Sequence, residues 1–293
     1  MPQKNLKTCL FEACVLEARA KKPGNVHPEA SFDDLTYSDF VESALAVQDT
    51  LLEPRNSGIG QLIFDAIQAT QKRLRRKTNP NLGIVLLLAP LSAVPRQIPL
   101  QEGIEAILAG LTVQDANQVY SAIRLAHPGG LGKVDSADIS DAPVISLRDA
   151  MRLAADRDSI ASEYSTGFQI ILQTAVPFLA EWPDFEHDWE NAILHLQFLL
   201  MQRFPDTLIA RKCGKEIADE SAARAGQVLQ LGGTKSEPGR AAARQLDAWL
   251  RADGHRRNPG TTADLIAASL FAAGRDGMIN LSAAFQQSQH IET

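Results

Sequence analysis

The sequence is short of several things, and each shortage narrows what the protein can be. It has three cysteines in 293 residues, at positions 9, 14 and 213. Neither a Cys-x-x-Cys pair nor a cysteine–histidine cluster with zinc spacing is present, so a disulfide framework and a zinc module are excluded. Buried reduced thiols, and with them a cytosolic compartment, are the expectation. A basic surplus is also missing. Lys+Arg is 29 against 35 Asp+Glu, a formal charge of -6, which argues against a nucleic-acid partner. Long apolar runs are missing too. The longest, Leu82 to Pro95, holds two prolines and is too short to span a bilayer, so no membrane association is expected. The stretch Leu6–Ala20 carries Glu12, Glu17 and Arg19, which rules out a signal-peptide core. Aromatic residues are only 6%, and alternating apolar–polar runs are almost absent, so strands have little support.

What remains is helical. Phe40, Ala44, Val47 and Leu51 fall on one helical stripe, as do Ile59, Leu62, Ile63, Ala66 and Ile67. Thr36 with Asp39, Thr112 with Asp115, and Ser146 with Asp149 mark helix starts. Further helical patterns run from Ser159 to Leu179, Phe185 to Gln202, Asp206 to Leu229, Pro238 to Ala252 and Thr262 to Ala273. The run Ile84–Leu88 reads as part of a central helix buried on every side. The prediction is an all-α fold, a single compact multi-helix domain over residues 1–293 with a buried central helix. A chain of this length buries about three-quarters of its unfolded surface and needs no staples.

The connections hold residues that packing does not require. Lys22-Pro23-Gly24-Asn25-Val26-His27 is followed by Asp33 and Asp34. Lysine binds phosphate as a point charge, Pro-Gly lets backbone approach a ligand, and aspartates suit Mg²⁺. The same aspartates would serve equally as helix caps. Asn79-Pro80-Asn81-Leu82-Gly83 opens the buried helix, where free N–H groups attract anions. His127 to Lys133 is glycine-rich but lacks the Ser or Thr that would make it a phosphate-cradling P-loop. Arg157 sits beside Asp156 and Asp158. Asp206, followed by Arg211 and Lys212, is either a helix cap or part of a carboxylate–cation site. Asn258-Pro259-Gly260-Thr261-Thr262-Ala263-Asp264 opens a helix, with Asp264 in its first turn. Phosphate beside Asp264 would need a bridging cation. The run Arg73–Lys77 reads as a solvated helix end.

Taken in order, Lys22-Pro23-Gly24, Asp33-Asp34, Asn79-x-Asn81-x-Gly83, Asp206-Thr207 and Asn258-Pro259-Gly260-x-x-Ala263-Asp264-Leu265 resemble the triphosphoribosyl-dephospho-CoA synthase family, from about Cys9 to Ala273. The resemblance implies an all-α fold and transfer of the 5-triphosphoribosyl group of ATP to the 2′-hydroxyl of 3′-dephospho-CoA, with adenine leaving. One departure is clear. Better-known members carry Asn-Thr-His-Lys-Gly where this chain has Asn81 and Leu82 in place of the histidine and lysine. That variant looks like a divergent branch linked to tetrahydromethanopterin one-carbon chemistry.

The expected site then has Asp206 or His27 as the base. Lys22, Gly24, Asn79, Asn81, Arg157, Lys212, Asn258, Gly260 and Thr261 would bind nucleotide, and Asp33, Asp34 and Asp264 would hold Mg²⁺. The partners would be ATP and a phosphorylated or CoA-like acceptor, and a homodimer is allowed. Two alternatives stay open: a related transferase acting on a pterin precursor, and a nucleotide-binding scaffold that has lost transfer activity.

Overall fold

The computed structural model describes residues 5–52, 58–74, 78–126 and 143–290. The 127–133 loop, part of the 73–77 basic run and the ends of the chain lie outside them. Among the described residues there are fifteen α-helices and no sheet of three or more strands. The short extended segment Ala252–His255 and a bridge between His27 and Ala30 are what β-structure there is among them.

The helix starts follow the side-chain chemistry. Helix α1 (Leu6–Arg19) opens on Asn5, whose side chain accepts the Lys7 N–H at 3.0 Å. Helix α2 (Tyr37–Leu51) opens on Thr36, whose N–H is taken by Asp39 at 2.7 Å. Before α6 (Val113–Ala126), Asp115 takes the Thr112 N–H at 2.8 Å. Its other oxygen accepts Gly60 N–H, also at 2.8 Å, at the start of α3 (Ile59–Leu74). One carboxylate thus caps two helices, which accounts for its burial. Ser146 caps α7 (Leu147–Arg152).

Helix α4 (Leu82–Ala93) runs through the middle, and every residue from Leu82 to Leu91 is buried. Such a helix must satisfy all its backbone internally, and Pro90 prevents that. Proline has no N–H to give to the carbonyl of Leu86, four residues earlier. The hydroxyl of fully buried Tyr164 supplies the missing donor at 2.6 Å. Against α4 pack α2, α3, α5 (Leu100–Ala109), α8 (Ser159–Thr166) and α14 (Gly260–Arg275), and α1 and α6 belong to the same apolar cluster. A smaller apolar cluster of Phe198, Met201, Ile209, Ala225, Val228 and Leu246 ties α10 (Trp189–Arg203) to α11 (Thr207–Cys213), α12 (Lys215–Gln230) and α13 (Glu237–Arg251). Helix α10 feeds both clusters, since Ile193, Leu196 and Leu200 belong to the larger one.

Two expected continuous helices are broken. The 159–179 pattern stops at Gly167 and Phe168, both with positive φ (74° and 63°), and resumes as a π-helix, Ile170–Ala175, and then α9 (Val176–Ala180). The carboxylate of buried Glu163 accepts the N–H groups of Ile170 and Ile171 at 2.8 and 3.0 Å, so the second segment starts on a side chain of the first. The 206–229 pattern breaks at Gly214 (φ 96°) into α11 and α12. The last helix, α15 (Leu281–His290), packs on α1. Cys9 and Cys14 are buried, Cys213 is half-buried, and none of the three is in a disulfide. No helix among the described residues is long and apolar enough to cross a membrane.

Candidate active site

Helices α4 and α14 begin side by side. Their first turns form the floor of a cleft of about 1140 Å³, walled by α6, α7, α8 and α11. The approach is closest at Gly83, where a β-carbon would lie 2.0 Å from Asp264 Oδ2. Glycine at 83 therefore makes room for the carboxylate, and this explains the glycine of the Asn79–Gly83 motif. Asn79 accepts the Leu82 N–H at 3.0 Å. Asn81 donates to Thr70 at 3.1 Å, and its buried amide oxygen has no partner among the described residues.

Asp264 makes no hydrogen bond among the described residues. Burial, then the negative charges of Glu17, Asp206 and Asp158, push its carboxyl well above the usual range, with Arg211 opposing. Arg211 stands 3.6 Å from Asp158, which caps α8 through the N–H groups of Ile160 and Ala161. Lys212 makes no ion pair among the described residues. Burial and neighbouring Arg211 lower its pKa. Arg157 adds a third cation at the rim, with one guanidinium nitrogen donating to Leu153 O. Thr207 and Thr261 face each other at 3.3 Å. Asp34 lines the cleft near His255, 4.0 Å away.

Of the expected site residues, Asp34, Asn79, Asn81, Arg157, Lys212, Asn258, Gly260, Thr261 and Asp264 line this one cleft. The others do not, and each has a physical reason. Lys22 is fully buried in an ion pair with Glu17 at 2.9 Å. Its ammonium also donates to the carbonyls of Glu17 and Ala20, which uses its three donors and leaves none for phosphate. Gly24, at φ 76°, packs where a β-carbon would lie 2.7–2.9 Å from Leu250 and Pro259; it serves close packing, not a ligand. His27 lies outside the lining. Burial, with Arg251 and Lys22, lowers its pKa. Asp33 is exposed and away from the cleft lining, so the expected trio of aspartates does not assemble; no group of three or more His, Cys, Asp or Glu among the described residues is placed to hold a metal. A Mg²⁺ ion in this cleft would rely on one or two carboxylates and on phosphate oxygens, an arrangement common for that ion.

Asp206 is a structural cap rather than a base. One oxygen accepts Leu208 and Ile209 N–H at 2.9 and 3.0 Å; the other accepts Thr262 N–H and hydroxyl, both at 2.8 Å. Burial raises its pKa against the pull of those donors. It joins the starts of α11 and α14. A second polar chain positions Asn258: it accepts from Asn25 at 2.7 Å, and Asn25 accepts from buried Gln197 at 3.0 Å.

The sequence reading missed Glu17. Glu17 lines the cleft although its side chain is only 3% exposed. A signal was available: Leu10, Ala13, Cys14 and Glu17 share one helical stripe, and an acid on an apolar stripe needs a partner or a ligand.

Fold and cleft together define a helical protein with two helix starts, flanking cations and a buried carboxylate on one large cleft. The chain aligns with a crystal structure from Archaeoglobus fulgidus named "putative triphosphoribosyl-dephospho-coA synthase", with TM-score 0.63 and 25% identity, over 83% of this chain and 99% of that one. A protein of Pseudomonas syringae pv. tomato named "Probable 2-(5''-triphosphoribosyl)-3'-dephosphocoenzyme-A synthase" is 34% identical over 108 residues, 37% of this chain and 36% of its own length. A protein of the same name from Pseudomonas fluorescens is 32% identical over 119 residues, 40% of each chain. The chain thus spans well under half the length of these curated relatives. The family pattern of CitG, ATP:dephospho-CoA triphosphoribosyl transferase, matches residues 3–281, and the chain belongs to that family.

Proposed function

We propose that the protein is a transferase that moves the 5-triphosphoribosyl group of ATP to a hydroxyl of a CoA-type acceptor, of which 3′-dephospho-CoA is the one in the family's description. In this step the bond between C1′ and the adenine nitrogen breaks, and the electron pair leaves with adenine, which takes up a proton. The acceptor oxygen gives up its proton and forms the new bond to C1′. The observation that carries the reading is the convergence, on one cleft, of the Asn79–Gly83 and Asn258–Asp264 helix starts with Arg211 and Lys212.

Those helix starts and cations would receive the triphosphate. Bound Mg²⁺ would neutralise phosphate charge, held by Asp264 or Asp34. Beside a bound cation the Asp264 carboxyl would ionise against the upward push of burial, and the carboxylate would then favour an oxocarbenium-like C1′ as the adenine departs. Membership of a transferase family favours transfer over binding alone. Three cysteines outside any disulfide fit a reducing compartment, and we place the protein in the cytoplasm.

The test is incubation with ATP, Mg²⁺ and 3′-dephospho-CoA, followed by chromatography. Free adenine in step with acceptor consumption is the expected result. Formation of ADP, AMP or pyrophosphate without adenine would overturn it.

A further inference from the structure

The cleft has two unlike halves. At one end lie Asp264, Arg211, Lys212, Asn79, Asn258 and Thr261. At the other, α6, α7 and the turn after α7 contribute Val119, Ile123, Leu147, Met151 and Ala154, with Ile160 of α8 at the boundary, its Cδ1 2.7 Å from the β-carbon position that Gly83 leaves open beside Asp264. Arg148 and Arg152 of α7 do not line the cleft and are already committed, and Arg157, which lines it beyond α7, donates to Leu153 O and lies 3.9 Å from Asp156. Arg148 holds Glu105 through two bonds of 2.6 and 2.8 Å, and Arg152 holds Asp149 at 2.8 Å. A charged group placed among Val119, Ile123, Leu147 and Met151 would lose water without gaining a charged partner, which is costly. An uncharged chain would gain apolar contact. Leu153, 48% exposed, extends this surface to the rim, where a solitary large apolar side chain gains little from water.

Volume points the same way. A single small-ligand site occupies about 300–1,000 Å³, and this cleft is about 1140 Å³ and continuous from one half to the other. It is large enough for two ligands side by side. A CoA-type acceptor has two unlike ends of its own: a nucleotide with phosphates, and a long uncharged amide arm ending in a thiol.

We propose that the apolar half of the cleft, between α6, α7 and α8, seats the uncharged pantetheine arm of the acceptor, while the triphosphate of ATP lies at the polar half. This rests on the transfer reading for the identity of the acceptor. The arm lies lengthwise along Ile123, Met151 and Leu153, and its amide groups keep water on the open side. The apolar wall thereby selects acceptors by their arm and brings their nucleotide end toward Asp264.

Two variants test it, Ile123→Asp and Leu153→Asp. Leu153 is exposed, so its variant folds without a core penalty, and melting curves check both. In steady state, Ile123→Asp raises KM for 3′-dephospho-CoA about tenfold, equivalent to about 1.4 kcal/mol, and Leu153→Asp raises it by a smaller factor. KM for ATP stays within about twofold of wild type. A matching rise in KM for ATP would mean that the wall holds the adenine of ATP, and unchanged constants for both substrates would mean that it holds neither; either result overturns the proposal. Calorimetric titration with pantetheine alone, the arm without nucleotide or phosphate, separates this inference from the transfer reading. Heat of binding in wild type that Ile123→Asp abolishes supports the arm seat even if no adenine is ever released. Equal heats in both proteins, or none in wild type, would overturn it.

Discussion

Asp264 and Gly83 carry the sharpest consequences at the scale of single residues. In the unfolded chain the Asp264 carboxyl ionises near its ordinary value, while in the fold it holds its proton to much higher pH. Over that window the folded state binds more protons, so stability falls as pH rises. Asp264→Asn lacks this titration. Its stability advantage over wild type, measured by urea unfolding without ligand, should be small at pH 4 and larger at pH 8. The same variant should lose the stabilisation that ATP·Mg²⁺ gives wild type, about 2.7 kcal/mol at a hundredfold excess over Kd. Gly83→Ala inverts ordinary expectation. Alanine is the better helix former by about 0.5–1 kcal/mol, yet its β-carbon would lie 2.0 Å from the Asp264 carboxylate. The variant should be less stable by about 1–3 kcal/mol, and pairing it with Asp264→Ala should recover most of that loss. Asp206 separates from both. Asp206→Asn leaves one oxygen for four donors, so it should cost about 1–3 kcal/mol in urea unfolding. Any adenine-release activity should survive in the fraction that remains folded, because the residue faces helix ends rather than the cleft.

Among the elements, α4 is the one whose integrity depends on a neighbour. Its Leu86 carbonyl is orphaned by Pro90 and rescued by the hydroxyl of Tyr164. Tyr164→Phe leaves that carbonyl buried and unpaired and should cost about 1–3 kcal/mol. In a Pro90→Ala background the helix supplies its own donor, and Tyr164→Phe should then cost much less. A double-mutant cycle by chemical denaturation measures the coupling. Elements were the most legible part of the sequence. Thr112 with Asp115 and Ser146 with Asp149 announce helix starts locally, and the apolar run after Asn81 announces burial. The interruptions at Gly167–Phe168 and Gly214 were not legible, because apolar spacing continues across them; what changes is the sign of φ. Of the site, the helix-opening motifs at Asn79 and Asn258 were readable. Asp206 was not, since a carboxylate ahead of a helix looks the same whether it caps backbone or takes a proton. Glu17 and Lys22 were not readable as a pair either, because their meeting depends on the chain turning back at the end of α1.

For the whole molecule, the cleft is assembled from both ends of the chain: Glu17 from α1, the first turn of α4, the walls of α6 to α8, and the starts of α11 and α14. No local segment could bind the ligand by itself, so binding and folding are thermodynamically linked across the chain. The contact between α4 and α14 has a further consequence for the order in which this sequence can change. A side chain at position 83 is opposed chiefly by the carboxylate at 264 and, more weakly, by the movable end of Ile160 at 2.7 Å, so most of the barrier goes when the carboxylate does. Loss of the acid opens the glycine to drift, and once a β-carbon is in place the acid cannot easily return. A lineage that abandoned the chemistry of this cleft would therefore pass through a ratchet, with an unoccupied carboxylate seat at 264 appearing first and a filled glycine at 83 marking the step that is hard to reverse.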